Sequence, residues 1–541
     1  HVPASNGPQS CNAPLAYKEL QLTVRTASNS INAGTDDGFE LCLSESLCKN
    51  LNVADYDDNE LGATNEFLWK VDALTPEDLT GVTLRPTAFA ADAWRPTCIS
   101  VVADGQLIYC NDELDIDWLG SEENDSAEWK DPNPDTLKCS SCYPSTLSHG
   151  PMIGHTTSQS ARVWLRSAYS AAITIRYSTS EDLSNALTIG PVNTSMDDDF
   201  VGILELTGLS PATRYHYEVW IGDESVRSGL SFKTAPASTA SFDVAFGSCS
   251  KVSVSPSLPL FDDIVDAKPD LMLMIGDNHY ANSNKEETLR AFYLELQGVE
   301  SVSELFSQTP TWATWDDHDY TGNNTDGAAD GKEFALAAFR RFWANPPEST
   351  QGHPGVWSSF EWADVEFFMI DDRYYKGLLN ESMLGEAQLQ WLLWGLTTST
   401  ATFKVLVSGS QWTQGGTSDS WAEHPEEWQM IMDHIMSNAI HGVVMVSGDV
   451  HRAEVRRIRE PSDDSYALWE FTSSPLGNNT VACPSPEGEP DELLFCANVV
   501  NYGLLRFDTT LEDPTVTFEI RMKDNQIIHT HTVALSDLVM P

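Results

Sequence analysis

Positive charge is what this 541-residue sequence has least of: 31 lysines and arginines stand against 80 aspartates and glutamates, a formal net charge of −49. So negative a surface repels nucleic acid and anionic membrane, which makes both poor partners, and suits a chain kept soluble in saline or extracellular water. Long apolar runs are also missing. The longest, such as LMLMI and VVMV, fall short of the roughly 18 to 20 residues a membrane span needs, so no transmembrane segment is expected. The first residue is His1, with no basic and apolar leader, which fits a mature secreted chain whose signal has been removed. A second Cys-x-x-Cys to match Cys139 and Cys142 is absent, so a structural bridge is a better reading there than a zinc site. What is present is ten cysteines, with close pairs at Cys42/Cys48, Cys98/Cys110 and Cys483/Cys496 that read as short disulfide loops of a secreted protein. Cys11 and Cys249 are left over. Sequons at Asn124, Asn193, Asn323, Asn380 and Asn478 allow N-glycosylation if the source is eukaryotic.

A chain of this length holds about three or four domains. Short alternating runs, ELQLTVRT, FELCLSE and ISVVADGQLIYC, predict a β-sandwich over the first part. AGTDDGFELCL together with DAWRPTCISVVADG resembles the PLAT/LH2 modules, which implies a partner that is lipid, glycan or protein and puts Asp36 and Asp37 in a loop where that family can hold calcium. From Asn111 to Asp135 ten acidic residues accompany one lysine, the pattern of a solvated linker. Residues 1–138 are thus expected to be a PLAT-like sandwich with an acidic linker. ARVWLR, AITIRYS and TGLSPATRYHYEVWI alternate again, and the last resembles the fibronectin-III strand in which Tyr215 and Tyr217 follow a corner, so 139–238 reads as a second sandwich. From 239 to 541 continuous apolar runs alternate with helical stretches such as KEETLRAFYLELQ and LGEAQLQWLLWGL, the pattern of an α/β domain with buried strands.

The residues with chemistry to offer sit directly after those apolar runs. FDVAFG leads into Ser248 and Cys249, LMLMIG into Asp277 to Tyr280, and PTWAT into Trp315 to His318. VEFFMI leads into Asp371 to Arg373, FKVLVSG into Ser410 and Gln411, and VVMVSG into Asp449 to His451. In open α/β sheets the functional crevice lies beyond the carboxyl ends of the strands, so the six tails are expected to converge. Several carboxylates in one crevice repel unless cations lie among them. Thiolate and imidazole favour a transition ion, and the remaining oxygens a hard ion such as calcium or magnesium, so an unequal metal pair is expected.

FGSCS, GDNHY, TWDDHDYTGNN, IDDRYY, MLGEAQLQWL and SGDVHRAE come in the order found in the PhoD-like alkaline phosphatase/phosphodiesterase family, and WEFTSSPLGN resembles that family's strand after the last ligand motif. The resemblance runs from about Thr146 to the C-terminus. It implies two N-terminal β-sandwiches followed by an αββα metallophosphatase sandwich, and a secreted phosphohydrolase that acts on phosphomonoesters or phosphodiesters through a metal-bound hydroxide. It further implies Fe(3+) held by Cys249, Asp277, Tyr280 and His451, with Asp277 bridging to Ca(2+) held by Asp317, Asn323 or Asn324, and Asp449. His318 would protonate the leaving group and Arg373 would grip two phosphate oxygens. Asp316 and Asp319 are expected as supports, His279 pointing away from the metals, and Glu454 behind the ligands. His353, His424 and His441 are read as surface or structural. The competing reading is an extracellular scaffold or adhesion protein, in which the metal domain is structural; no motif residue is missing, which favours the enzyme.

Overall fold

A computed structural model describes residues 17–26, 39–44, 47–51, 64–74, 81–86, 96–103, 106–111, 114, 129–131, 147–346, 350–378, 382–415, 419–462, 465–485 and 491–541. The chain divides into two compact units. One comprises 1–148 with 167–171 and 193–200, and the other comprises 149–166, 172–192 and 201–541. Among the described residues no helix is long and apolar enough to cross a membrane.

In the first unit, period-2 alternation sends Leu20, Leu22 and Val24 of the Tyr17–Thr26 strand into a core shared with Phe39, Leu41 and Leu84. Two antiparallel sheets of four strands contribute to it, ordered Thr64–Leu74, Tyr17–Thr26, Pro96–Ala103, Gln106–Asn111, and Cys48–Asn50, Phe39–Cys42, Thr83–Pro86, Trp129–Lys130. The last strand corrects the linker reading. Leu84 pairs with Trp129, and the buried Asp131 carboxylate accepts hydrogen bonds from Tyr109 Oη (2.5 Å) and Asn111 Nδ2 (2.8 Å). One end of the acidic stretch is therefore packed structure. Cys42–Cys48 and Cys483–Cys496 are disulfides, and Cys98 and Cys110 are each disulfide-bonded too. Asp36, Asp37, Cys11, Cys139, Cys142, Asn124 and Asn380 lie outside the described residues.

The second unit opens with seven strands in sheets of three and four. Their orders are Val201–Thr207, Ser160–Ser167, Leu147–Thr156, and Leu187–Asn193, Ala172–Ser178, Arg214–Ile221, Glu224–Lys233. Tyr215 makes the expected corner, its hydroxyl accepting the Ser210 N–H at 2.9 Å. These strands are fastened to the α/β part of the chain. Trp164 Nε1 donates to the Arg341 carbonyl (2.8 Å) and Tyr217 Oη to the Ser307 carbonyl (2.6 Å). Gly154 allows this approach, because a Cβ there would stand 2.2 Å from Ala344 Cβ.

The α/β part is built on two further sheets. The first has the order Thr311–Thr314, Leu271–Ile275, Ser241–Gly247, Tyr502–Asp508, Thr515–Arg521, Ile527–Ala534, and its first three strands are parallel. The second has the order Ser358–Trp362, Val365–Met369, Phe403–Val407, Val443–Ser447, Leu468–Thr472, Ala453–Arg459, Glu492–Ala497, with a parallel run from Val365–Met369 to Leu468–Thr472. Leu271–Ile275 shows why the apolar run is unbroken. Leu271, Leu273 and Ile275 face the core shared with the second sheet, while Met272 and Met274 face the core built with helices Leu260–Ala267, Glu286–Gly298, Glu300–Gln308 and Lys332–Phe342. The shared core also takes in Leu389, Leu392 and Ile431 from helices Gly385–Thr398 and Pro425–Ser437, so each sheet is covered by helices on one face and by the other sheet on its other face.

Candidate metal centre

The parallel strands of both sheets end where their tails meet. Cys249 Sγ lies 3.4 Å from Asp277 Oδ2 and 3.6 Å from the Asp449 carbonyl, which joins tails 200 residues apart. The Tyr280 hydroxyl donates to Asp277 Oδ2 (3.0 Å) and lies 3.2 Å from His451 Nε2. Two potential ligand groups result. Cys249, Asp277 and His451 form one and Asp277, Asp317 and His318 the other, each with ligand atoms within 4.8 Å of one another. Asp277 belongs to both.

The backbone at these positions is not relaxed. Cys249 (φ 61°), Asp277 (φ 50°), Asp449 (φ 66°) and His451 (φ 54°) all occupy the left-handed region, which favours glycine. Each such residue costs on the order of 1 kcal/mol or more, and such residues cluster at functional sites, where surrounding structure holds them. Gly276 (φ 96°) directly precedes Asp277, and a Cβ there would lie 2.6 Å from Asp316 Cβ.

The electrostatics call for cations. Burial pushes the Cys249 thiol up to about 12, helped by the Asp449 charge. Burial, then the charges of Cys249 and Asp317, raises Asp277 well above the carboxylate range, and burial and Asp317 lift Asp449 to about 7. For Asp317 burial also acts upward, but the charges of Arg373 and His318 bring it below its ordinary value. Asp317 Oδ1 is buried with no hydrogen-bond partner. An orphaned carboxylate oxygen, an unionised thiol and stacked carboxylates make a donor set that fits bound metal.

The remaining expected residues fall into different places. Asp316 and Asp319 cap the Asp317–Tyr320 turn: the Asp316 N–H donates to Asp319 Oδ1 (2.7 Å), and Asp319 Oδ2 accepts from Asn278 Nδ2 (2.5 Å). The Asn324 N–H donates to Asp317 Oδ2 at 2.6 Å, whereas the exposed Asn323 carboxamide donates to Asn324 Oδ1 (2.5 Å). His279 is buried edge-on against Tyr293, and burial lowers it to about 3. Glu454 is spent on Arg452 and Arg456.

Arg373 departs most from expectation. It is fully buried, and its guanidinium meets Asp316 (Nε to Oδ1, 2.5 Å), Asp419 (2.6 Å), Ser410 Oγ (3.0 Å) and the Thr325 carbonyl (3.4 Å). Its fork is already filled by the protein. Two residues not singled out in the sequence support the ligands. Ser474 Oγ donates to Cys249 Sγ (3.2 Å) and accepts the His451 N–H (3.1 Å), and Asn282 Oδ1 lies 2.5 Å from His318 Nδ1. Asn478, one of the sequons, is buried with its carboxamide 3.5 Å from His451 Nε2, so it is not a free acceptor for a glycan.

Comparison with known proteins places this architecture. A solved structure titled "Structure of PhoD" matches 74% of this chain and 92% of its own at 18% identity, with a TM-score of 0.64. A purple acid phosphatase from yellow lupin (Lupinus luteus) seeds matches 96% of this chain and 91% of its own at 12% identity, with a TM-score of 0.58. At such identities these show the fold alone, a metallophosphatase-like sandwich. Residues 244–492 match the family model described as PhoD-like phosphatase. Alkaline phosphatase D of Bacillus subtilis (strain 168) is 24% identical over 308 residues, which is 46% of this chain and 52% of that protein. The match thus spans about half the length of that relative. Residues 144–239 match a family described only as a domain of unknown function (DUF7800).

Proposed function

We propose that the protein hydrolyses phosphate esters outside the cell, at a metal pair shared across Asp277. The observation that carries this reading is that sharing: one thiol, two imidazoles and the Asp317 carboxylate each offer an atom within 4.8 Å of the Asp277 carboxylate at the ends of the parallel strands. Cys249, Tyr280, Asp277 and His451 offer the soft and aromatic donors that suit iron, and Asp317, Asp449 and the Asn323–Asn324 turn offer oxygens that suit calcium. Bound there, such ions supply Lewis acidity toward a phosphate oxygen and a water acidic enough to attack phosphorus.

The chain's own residues do the rest. The His318 N–H donates to Asp277 Oδ1 (3.3 Å) and Asn282 holds its Nδ1, so the imidazole is oriented beside the ligand carboxylates. Burial lowers its pKa, with Asp317 opposing; a phosphate dianion arriving beside it acts as Asp317 does and favours the imidazolium that can protonate the leaving oxygen. Arg373, enclosed by Asp316 and Asp419, neutralises the carboxylates from behind and holds Asp316 in place.

The test is hydrolysis of p-nitrophenyl phosphate and bis-p-nitrophenyl phosphate, with elemental analysis of the purified protein. Activity on at least one ester, lost on chelation, is expected, with iron and calcium in the preparation. A metal-loaded protein inert toward both esters would refute the reading.

A further inference from the structure

With Arg373 enclosed, the incoming phosphate needs another cation. Lys376 is buried against Asp419, and Arg452 against Glu454. Lys251 differs: it is half-buried, comes two residues after Cys249, and among the described residues has no carboxylate within ion-pair distance, in a chain where acidic residues outnumber basic ones 80 to 31. Its N–H is fixed on the Gly477 carbonyl at 3.0 Å. Its Nζ stands 5.2 Å from the centre of the Tyr280 ring, and that ring lies 4.2 Å from the His318 imidazole. The Tyr280 hydroxyl touches both Asp277 and His451, so the ammonium borders the same crevice as the ligands.

We propose that Lys251 binds a non-bridging oxygen of the substrate phosphate, the task the sequence motif suggested for Arg373. An ammonium on a four-carbon stem, held by an aromatic face rather than a carboxylate, can turn toward an anion without breaking an ion pair. This rests on the phosphoester reading, and the experiment separates the two. Lys251→Gln and Lys251→Arg are compared with the natural protein for metal content, Tm, kcat and KM on p-nitrophenyl phosphate, and equilibrium binding of inorganic phosphate followed by phosphorus NMR. In Lys251→Gln, KM and the phosphate Kd should both rise about 10- to 100-fold, the loss expected for one charge-assisted hydrogen bond. The metal content and Tm should stay unchanged, kcat should fall less than KM rises, and Lys251→Arg should recover most of the binding. An unchanged KM and phosphate Kd in Lys251→Gln would overturn the proposal, as would losses that track only lost metal. If the natural protein is inert on esters, the hydrolase reading falls and the phosphate Kd still decides the case of Lys251.

Discussion

Cys249 and Ser474 show how much one side chain depends on another at this centre. Burial keeps the thiol protonated to about 12, so only a cation makes its thiolate affordable, and the Ser474 hydroxyl at 3.2 Å then steadies that charge while accepting the His451 N–H. Ser474→Ala is expected to weaken metal retention about 10- to 100-fold in chelator competition, with little change in fold, as for other outer partners of metal ligands. Asp317→Ala and His318→Ala should each lower kcat by about 100-fold or more on whichever ester is hydrolysed; only the first should also reduce metal content. Arg373→Met should act differently again, because it leaves Asp316 buried without its cation and Asp419 with Lys376 alone. A loss of about 3 to 5 kcal/mol in denaturant unfolding is expected, well beyond any effect on KM.

The strand ends explain why such residues can meet. A parallel strand that stops at glycine lets the chain turn through left-handed backbone and present the next side chain into the crevice, and Gly276 before Asp277 is the clearest case. Gly276→Ala is expected to cost more than about 2 kcal/mol and to displace Asp316, because the added methyl meets its Cβ at 2.6 Å; calorimetry and metal content would both register it. The four-residue helix at Asp317–Tyr320 is held by its capping box rather than by length: Asp316 and Asp319 satisfy its first turn and so fix Asp317 and His318.

For the whole molecule, charge and acid sensitivity arise from different groups. A net charge of −49 repels itself, so the Tm should rise as sodium chloride screens it; a Tm that falls with added salt would count against that reading. His155 accepts a hydrogen bond from Trp312 Nε1 at 3.2 Å, and burial lowers its pKa from 6.5 to about 4. As pH falls the unfolded chain takes up this proton first. Its contribution is therefore intact above about 6.5 and lost between there and about 4, roughly 3 kcal/mol at most. Unfolding measured across that window should show the slope, and His155→Gln should flatten it.

By itself the sequence determined the strand tails, because an apolar run buried on both faces must end in turn residues and the chemistry comes directly after; Cys249, Asp277, Tyr280, Asp317, His318 and His451 were legible that way and are brought together. Period-2 alternation likewise marked strands such as Tyr17–Thr26, Ser160–Ser167, Ala172–Ser178 and Arg214–Ile221. Tertiary structure alone decided what depends on packing across distant segments. Asp131 and Trp129 are packed although their neighbourhood reads as linker, because Tyr109 and Asn111 reach the carboxylate from a strand some twenty residues away. Arg373 carries the right motif for a phosphate clamp, yet its position behind Asp316 and Asp419 leaves the guanidinium no free edge, while Lys251, which no motif marked, stands 5.2 Å from the Tyr280 ring centre with no carboxylate partner among the described residues. A side chain's type sets which partners it can take. Only the fold sets which of them reach it first.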